Sequence, residues 1–517
     1  MRSLVNNFSE KIITFKYFGA IAYSLGFGLV TFIAYYTYFN HYDFPQDYFW
    51  DEQYHIPSAQ KYLNGVFFME PHPPLGKMLI ALGEKLFHAN PAFDQYRDTD
   101  FAGNVTTPEG FSFTGYRFFP ALAAWLTAPV MFGIFLVISK NLIAGLLLSS
   151  LYLFDNALIV HNRGAMLDGI LLFFTCSSIL AFLLVLQWRD RPVKFAIAAI
   201  LYGFYFALAV DTKATGLILL LLIPAVLWQI WRDRNLSLKF LLFSLIPFAI
   251  TFCVVWQVHF SLATQISPNL SNQGYFDVSS DYRQVLEAKA TNDPVLFPMM
   301  LRESLAYIPN YNANVPKLDM CSLKDGGSPA FLWPFGARTL NYRWETADGF
   351  QYRYLYLQSN PIGWSAGLLG ILLCTVLVLA APLIPQGDRT PNLFLMCTFL
   401  ALYLGYMVVM LTIKRTMYLY HYFPPLIFSY ILFGISTTAI AQINGKAIST
   451  KFKLTTLAIF ALGIFLAFQF YRPLTYYEPI TDVGFRKRAI FPLWNLKCIN
   501  CEYNNWIWTA REPAEEK

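Results

Sequence analysis

Residues 51–77 read DEQYHIPSAQKYLNGVFFMEPHPPLGK and carry the most informative chemistry in the chain. Asp51 and Glu52 are adjacent carboxylates. Neighbouring positions on a helix point about 100° apart, so the two can hardly share a task. One can face a reaction while the other orients a neighbour or an acceptor. The motif His72-Pro73-Pro74-Leu75-Gly76-Lys77 follows. Its prolines pre-set the entry to a helix, and Lys77 offers a point charge suited to phosphate. His72 could ligate a metal, but no second histidine stands at ligand spacing, so no cofactor is expected. Further polar clusters interrupt apolar sequence at Arg163 to Asp168, Asp211 to Lys213 and Arg415 to His421.

The elements that must position these residues follow from composition. Of 517 residues, 56% are hydrophobic and 14% charged, and the mean hydropathy is +0.42. A soluble domain carries roughly 25% charged residues. The balance excludes a soluble enzyme with an ordinary surface, a disordered chain and a nucleic-acid binder. Uncharged apolar runs long enough to cross a bilayer recur at 17–40, 114–138, 141–159, 166–187, 194–210, 214–231, 239–259, 362–385, 392–413, 419–442 and 454–471. That predicts an all-α polytopic membrane protein of about eleven spans. The third is the weakest, because Asp155 lies near its end. The first is too long for a signal peptide and reads as a retained helix.

Two stretches, 41–113 and 260–361, have no sustained apolar period and read as aqueous loops with short helices. Lys77 to Phe87 is predicted to lie along the membrane surface. The chain thus divides into an N-terminal transmembrane catalytic module, 1–259, with the first loop inside it. A loop domain, 260–361, C-terminal spans, 362–471, and a tail, 472–517, complete it. The loop 260–361, with Trp333-Pro334 and Trp344, is expected to form a lid and an acceptor-binding surface. Cys176, Cys253, Cys374 and Cys397 fall in apolar runs as small core residues. Cys498 and Cys501 form a CxxC that reads as a local disulfide rather than half a zinc site.

Basic residues orient the chain. Arg2, Lys11 and Lys16 precede the first span, and Lys140, Arg189/Arg191/Lys194, Arg232/Arg234/Lys239, Arg389 and Lys446/Lys451/Lys453 fall in alternate connections. The positive-inside rule assigns all of these to the cytoplasm. The loop 41–113, with ten Asp/Glu against four Lys/Arg, then falls outside, as does the tail. Five polar clusters converge on that outer face: Asp51-Glu52, His72 to Lys77, Arg163 to Asp168, Asp211 to Lys213, and Arg415 to His421. Ionisable residues at membrane depth point to function. The competing readings are interfacial anchoring and, for Arg163 with Asp168, a structural ion pair between spans.

With these residues in view, the sequence resembles the protein O-mannosyltransferase family, glycosyltransferase family 39, of the membrane-embedded type C fold. The resemblance rests on Asp51-Glu52, the HPPLGK motif, Gly115-Tyr116-Arg117, Phe154-Asp155-Asn156 with Arg163 and Leu167-Asp168, Lys213 with Thr215-Gly216, Asn360-Pro361 with Trp364, and Tyr420-His421-Tyr422 with Pro424. These occur in the family's order along nearly the whole chain. Departures are Glu70 where Asp is usual, Ala214 where an aromatic is common, and a loop 260–361 too short for the β-trefoil domain of eukaryotic members. The resemblance is therefore to the compact bacterial branch.

It implies an integral protein of the bacterial inner (plasma) membrane with an extracytoplasmic active site. The donor would be a polyprenyl-phosphate sugar, with mannose expected, and the acceptor Ser/Thr hydroxyls of exported protein. Phosphate is already a good leaving group, so one base suffices. The resemblance assigns that role to Asp51, with Glu52 positioning the acceptor. Donor and phosphate binding would fall to His72, Lys77, Arg117, Arg163, Asp168, Lys213, Arg415, Tyr420, His421 and Tyr422. The alternatives are a transferase of the same fold acting on a lipid or envelope glycan, and a transporter or flippase. The absence of an internal repeat weighs against the last.

Overall fold

A computed structural model describes residues 19–499, apart from 106, 270–273, 321–325, 384–391, 441 and 444–445. In chain order its helices are α1 (Gly19–Phe39), α2 (Glu52–Leu63), α3 (Leu75–Phe87), α4 (Thr114–Ser139), α5 (Leu142–Leu153), α6 (Asn156–Asn162), α7 (Asp168–Gln187) and α8 (Pro192–Thr212). Then come α9 (Leu222–Ile230), α10 (Arg234–Leu262), α11 (Ser280–Glu287), α12 (Phe297–Asn314), α13 (Pro361–Ala380), α14 (Leu393–Thr412), α15 (Phe423–Ala439) and α16 (Thr450–Thr475). Among the described residues nine are long and apolar enough to cross a membrane: α1, α4, α7, α8, α10, α13, α14, α15 and α16.

All eleven expected segments are apolar and helical, but two are not straight spans. The third breaks into α5 and α6, bent by 60°. Asp155 sits at the break and caps α6 by accepting from the Leu158 amide (2.9 Å), while its other oxygen accepts from Trp364 Nε1 (2.8 Å) and Tyr430 Oη (2.6 Å). A carboxylate inside an apolar run must find such donors, and these tie α13 and α15 to the bend. The 214–231 segment opens as a 3₁₀ turn, Ala214–Leu221, before α9, and is too short for a full span.

The helices α4, α7 and α15 form the interior of the bundle, while α1, α10 and α16 are peripheral. On α10, Leu242, Ile246, Ile250, Val254 and Val258 are exposed, an apolar stripe suited to lipid. The HPPLGK helix α3 is pressed onto α4 where Gly83 meets Gly115. A Cβ at Gly83 would stand 2.1 Å from the Gly115 carbonyl oxygen, and one at Gly115 would stand 2.7 Å from Glu84 Cα. Only glycines allow this approach, and it holds the 41–113 segment against α4.

The helical expectation missed one feature. Strands β1 (Leu340–Thr346) and β2 (Gln351–Leu357) pair antiparallel, with Leu340 opposite Leu357 and Trp344 opposite Tyr354. A turn with Gly349 at φ +73° joins them. A short strand, Pro479–Thr481, adds to β2 through Tyr352 opposite Ile480. Alternate residues Tyr352, Tyr354 and Tyr356 pack on Tyr471, Phe485 and Trp494. Period-two aromatics around an Asp-Gly turn are a hairpin signal, here submerged in an aromatic-rich loop. The sheet joins the 260–361 loop to the tail.

The bundle has two chemically distinct ends. Lys140, Arg189, Gln229 and Asn392 line one cleft of about 720 Å³, so four of the alternate connections share an end. Arg2, Lys11, Lys16, Arg389 and Cys501 lie outside the described residues; Cys498 is disulfide-bonded. The polar clusters gather at the opposite helix ends, at the starts of α2, α3, α4 and α7 and the end of α8.

Candidate active site

The adjacent carboxylates part ways at the start of α2. Glu52 is fully buried. Its Oε1 accepts from Arg117 Nε (2.7 Å) and the Ala165 amide (2.7 Å), and its Oε2 from Arg117 Nη2 (2.8 Å) and the Phe49 amide (3.1 Å). Arg117, equally buried, spends its remaining N–H groups on the carbonyls of Asp43 (2.7 Å), Pro45 (2.6 Å) and Asp47 (2.7 Å). A guanidinium has five donors, and all five are used. Two expectations are corrected here. Arg117 has no N–H left for a phosphate, and Glu52 has no free oxygen for an acceptor. Together they form a clamp that fixes the 43–52 chain, and Asp51 with it.

Asp51, the N-cap of α2, is only half-buried. Its Oδ2 accepts from Tyr420 Oη at 3.0 Å, and no cation bonds it among the described residues. Burial raises its pKa above the ordinary carboxylate value, against the lowering pull of Lys213, His161 and the Tyr420 hydroxyl. Tyr420 is held in place by His161, which stacks on it at 4.7 Å, and by Lys213, whose Nζ lies 5.5 Å over its ring.

Behind this pair runs a chain of bonds from four separate elements. Lys213, at the end of α8, places Nζ 2.8 Å from both oxygens of Asp168, the first residue of α7. Asp168 also bonds His161 Nε2 (2.9 Å), whose Nδ1 meets Tyr342 Oη of β1 at 2.6 Å. Asp168 therefore pairs with Lys213, and the predicted ion pair with Arg163 does not form. Arg163 instead donates to the carbonyls of Asn40 and His41 and lies 4.8 Å over the Tyr476 ring. It ties α6 to the end of α1 and the end of α16, with Arg117 as the cation in its range, so its expected place in the cavity beside Lys77, Lys213 and Arg415 is corrected too.

Lys77 is buried, with Nζ 2.6 Å from Glu70 Oε2 and 3.1 Å from Ser58 Oγ. Its charge is therefore neutralised within the site. The glutamate that replaces the family's usual aspartate is its partner. His72 stands among Lys213, Lys77, His55 and Arg415, and burial with these charges pushes its pKa well below the usual imidazole value. Arg415 has no carboxylate partner among the described residues. The 260–361 loop straps its segment down: Lys317 bridges Arg415 through the backbone, and the Thr416 amide donates to the Pro316 carbonyl (2.8 Å).

His421 lies beside this cation, stacked on Tyr420 at 4.5 Å. Tyr422 turns the other way: its hydroxyl meets Tyr403 Oη at 3.2 Å and its ring packs 5.2 Å from Trp364, inside the bundle. It is a core residue, a further correction. Trp333, expected to cover the cavity, is fully buried and donates to the Ser328 carbonyl (2.9 Å). His161 and Tyr342 were missed by sequence reasoning. A histidine inside an apolar run was a usable signal for the first; nothing marked the second.

Residues 28–265 match the family model described as dolichyl-phosphate-mannose-protein mannosyltransferase. Residues 312–494 match the C-terminal four-transmembrane region of protein O-mannosyltransferase. The chain is 30% identical over 229 residues to dolichyl-phosphate-mannose–protein mannosyltransferase 4 of Schizosaccharomyces pombe, covering 43% of this chain and 29% of that protein. It is 29% identical over 250 residues to protein O-mannosyl-transferase 2 of Danio rerio, covering 46% of this chain and 32% of that protein. The chain thus spans about a third of the length of these curated relatives. Its fold is similar to that of the Saccharomyces cerevisiae protein O-mannosyltransferase Pmt1-Pmt2 complex bound to the sugar donor. The TM-score is 0.74 at 15% identity, over 92% of this chain and 93% of that one.

Proposed function

Because the chain belongs to the protein O-mannosyltransferase family, we propose that it transfers mannose from a polyprenyl-phosphate donor to Ser/Thr hydroxyls of exported protein. The carboxylate of Asp51 takes the proton of the acceptor hydroxyl. The hydroxyl oxygen attacks the anomeric carbon in line, and the bond from that carbon to the phosphate oxygen breaks. Polyprenyl phosphate leaves with the electron pair, and the anomeric centre inverts. No general acid is needed, unlike the paired carboxyls of glycoside hydrolases. A base of this kind contributes roughly 10²–10⁴-fold. Arg415 receives the phosphate charge, since its planar fork matches two phosphate oxygens. Lys213, held by Asp168, orients Tyr420 and through it Asp51.

One observation carries this reading. Of the ionised groups around His72 and Tyr420, Lys77, Lys213, Glu70 and Asp168 neutralise one another. Asp51 and Arg415 are left over, a base and a phosphate-sized cation without ionic partners among the described residues. The reaction as proposed invokes no metal; among the described residues no three His, Cys, Asp or Glu side chains are grouped to hold one. The site opens on the extracytoplasmic face of a bacterial inner membrane, which is the face opposite the Lys140 and Arg189 connections.

The test is direct. Purified protein is incubated with labelled polyprenyl-phosphate-mannose and a Ser/Thr peptide, with and without a chelator. Label is followed into peptide and into lipid. The expected result is label in peptide, unaffected by the chelator and lost in Asp51→Asn. Label entering only lipid, or transfer surviving Asp51→Asn, would refute the reading.

A further inference from the structure

The helix α12 carries a stripe of Glu303, Tyr307, Asn310, Tyr311 and Asn314, which with Asp277 lines an open groove of about 380 Å³. The spacing of three and four residues puts all five on one face. The rings of Tyr307 and Tyr311 lie 6.0 Å apart. The exposed amides of Asn310 and Asn314 make no side-chain bonds within the described residues. Neither Asp277 nor Glu303 has a cationic partner among those residues, and Glu303 is fixed by accepting from the Ser279 amide at 2.9 Å. Arg283, the nearest base on α11, is turned onto the carbonyls of Tyr275 and Phe276.

The helix that carries the groove leads toward the site. Just past the C-terminal end of α12, Pro316 and Lys317 are bonded to the Arg415 segment. Tyr311 lies within Coulombic reach of Arg415 and Tyr54, and Tyr54 within reach of Asp51. From Asn314 back to Glu303 the helix rises about 16 Å, the length of about five residues of extended polypeptide.

We propose that this face is the docking track of the acceptor: an extended polypeptide lies along α12, and the track selects a basic side chain at least five residues from the glycosylated hydroxyl. The inference rests on the transferase reading and specifies its acceptor. The tyrosine rings supply flat amphipathic contact, the asparagine amides bond a peptide backbone, and Asp277 with Glu303 receive the base at the far end. Continuity with the Arg415 strap and the surplus of negative charge favour a polypeptide over a phospholipid headgroup, which these carboxylates would repel.

The experiment uses the full chain in nanodiscs and fluorescent twenty-residue peptides with a single central Thr. Lys, Ala or Glu is placed five, seven or nine residues to either side. Binding is read by anisotropy, which requires no turnover, and transfer by label from polyprenyl-phosphate-mannose. On one side the Lys peptide should bind about threefold to tenfold more tightly than the Glu peptide, since each exposed ion pair is worth a few-fold at most. Asp277→Lys, at an exposed loop position, should invert that order. Equal affinity for the three peptides, or an Asp277→Lys variant that weakens all three alike, would overturn the proposal. Charge-ordered binding without label in any peptide would uphold the track while refuting the transferase reading.

Discussion

Asp51 and Glu52 differ by one position and one methylene, yet their amide substitutions should have opposite consequences. In Glu52→Gln one carboxylate oxygen becomes an NH₂ group. Both oxygens now accept two bonds each, from Arg117 and from the Ala165 or Phe49 amide. Whichever oxygen is replaced, two donors then face a donor, and the fully buried Arg117 loses its counter-charge. Breaking a buried ion pair on one side costs about 3–5 kcal/mol, a hundredfold or more in the folded-to-unfolded ratio. Asp51→Asn removes a carboxylate that burial already disfavours, and its Tyr420 contact survives, because the amide oxygen still accepts. That variant should be at least as stable as the parent while losing roughly 10²–10⁴ in transfer rate, the contribution of a positioned base. Denaturant titration of both variants in the same detergent, with transfer scored per folded molecule, separates the two effects. A Glu52→Gln protein that unfolds like the parent but has lost transfer would place Glu52 in the chemistry and sink the clamp reading.

Two further predictions follow from the same geometry. Arg415→Lys keeps a charge and loses the fork, so the KM for polyprenyl-phosphate-mannose should rise by about tenfold or more, the worth of a charge-assisted bidentate contact, with folding unchanged; an unaltered donor KM would make Arg415 a snorkelling anchor. Acid should inactivate the enzyme early: Asp51 must be ionised to act and its pKa is raised, so kcat/KM should fall with decreasing pH while still above the ordinary aspartate range of about 3.9. The sign for stability is the reverse, because a raised folded-state pKa means that protonating Asp51 favours the fold. Across that window the stability advantage of Asp51→Asn over the parent should therefore shrink as pH falls, and an advantage that grew instead would contradict the raised value.

Much of the architecture was legible because a bilayer leaves little choice: every long uncharged run had to be helical, and nine of the eleven are single membrane-length helices among the described residues. The deviation at the third was legible as well, in Asp155, since a carboxylate in an apolar run forces the backbone and its neighbours to supply donors. The strands β1 and β2 were not, because their period-two pattern lies in a loop where Tyr and Trp are frequent on either reading. The motif residues were found, but their tasks depended on pairing across sequence distance. Glu52 meets Arg117 at a separation of 65 residues, Asp168 meets Lys213 at 45, and Asp51 meets Tyr420 at 369. No local pattern reports which of several carboxylates a given cation will reach.

That blindness explains the particular errors at Arg117, Arg163 and Tyr422. Each sits next to motif positions and each looked chemically apt, but packing decided otherwise. Arg117 was consumed by Glu52 and three carbonyls, Arg163 by two carbonyls and a ring, and Tyr422 by the bundle interior. For Arg117 the physical criterion is satisfaction, whereas Arg163 keeps a buried Nε without a partner among the described residues and is set aside by its place at the ends of α1 and α16. A buried charge whose every donor or acceptor is occupied has nothing left to give a substrate, and removing its partner costs stability. A charge left without an ionic partner beside a cavity costs the protein something in the free state, and a substrate of opposite need recovers it. By that criterion Asp51 awaits a proton and Arg415 awaits an anion. A hydroxyl acceptor and a lipid phosphate bring one each.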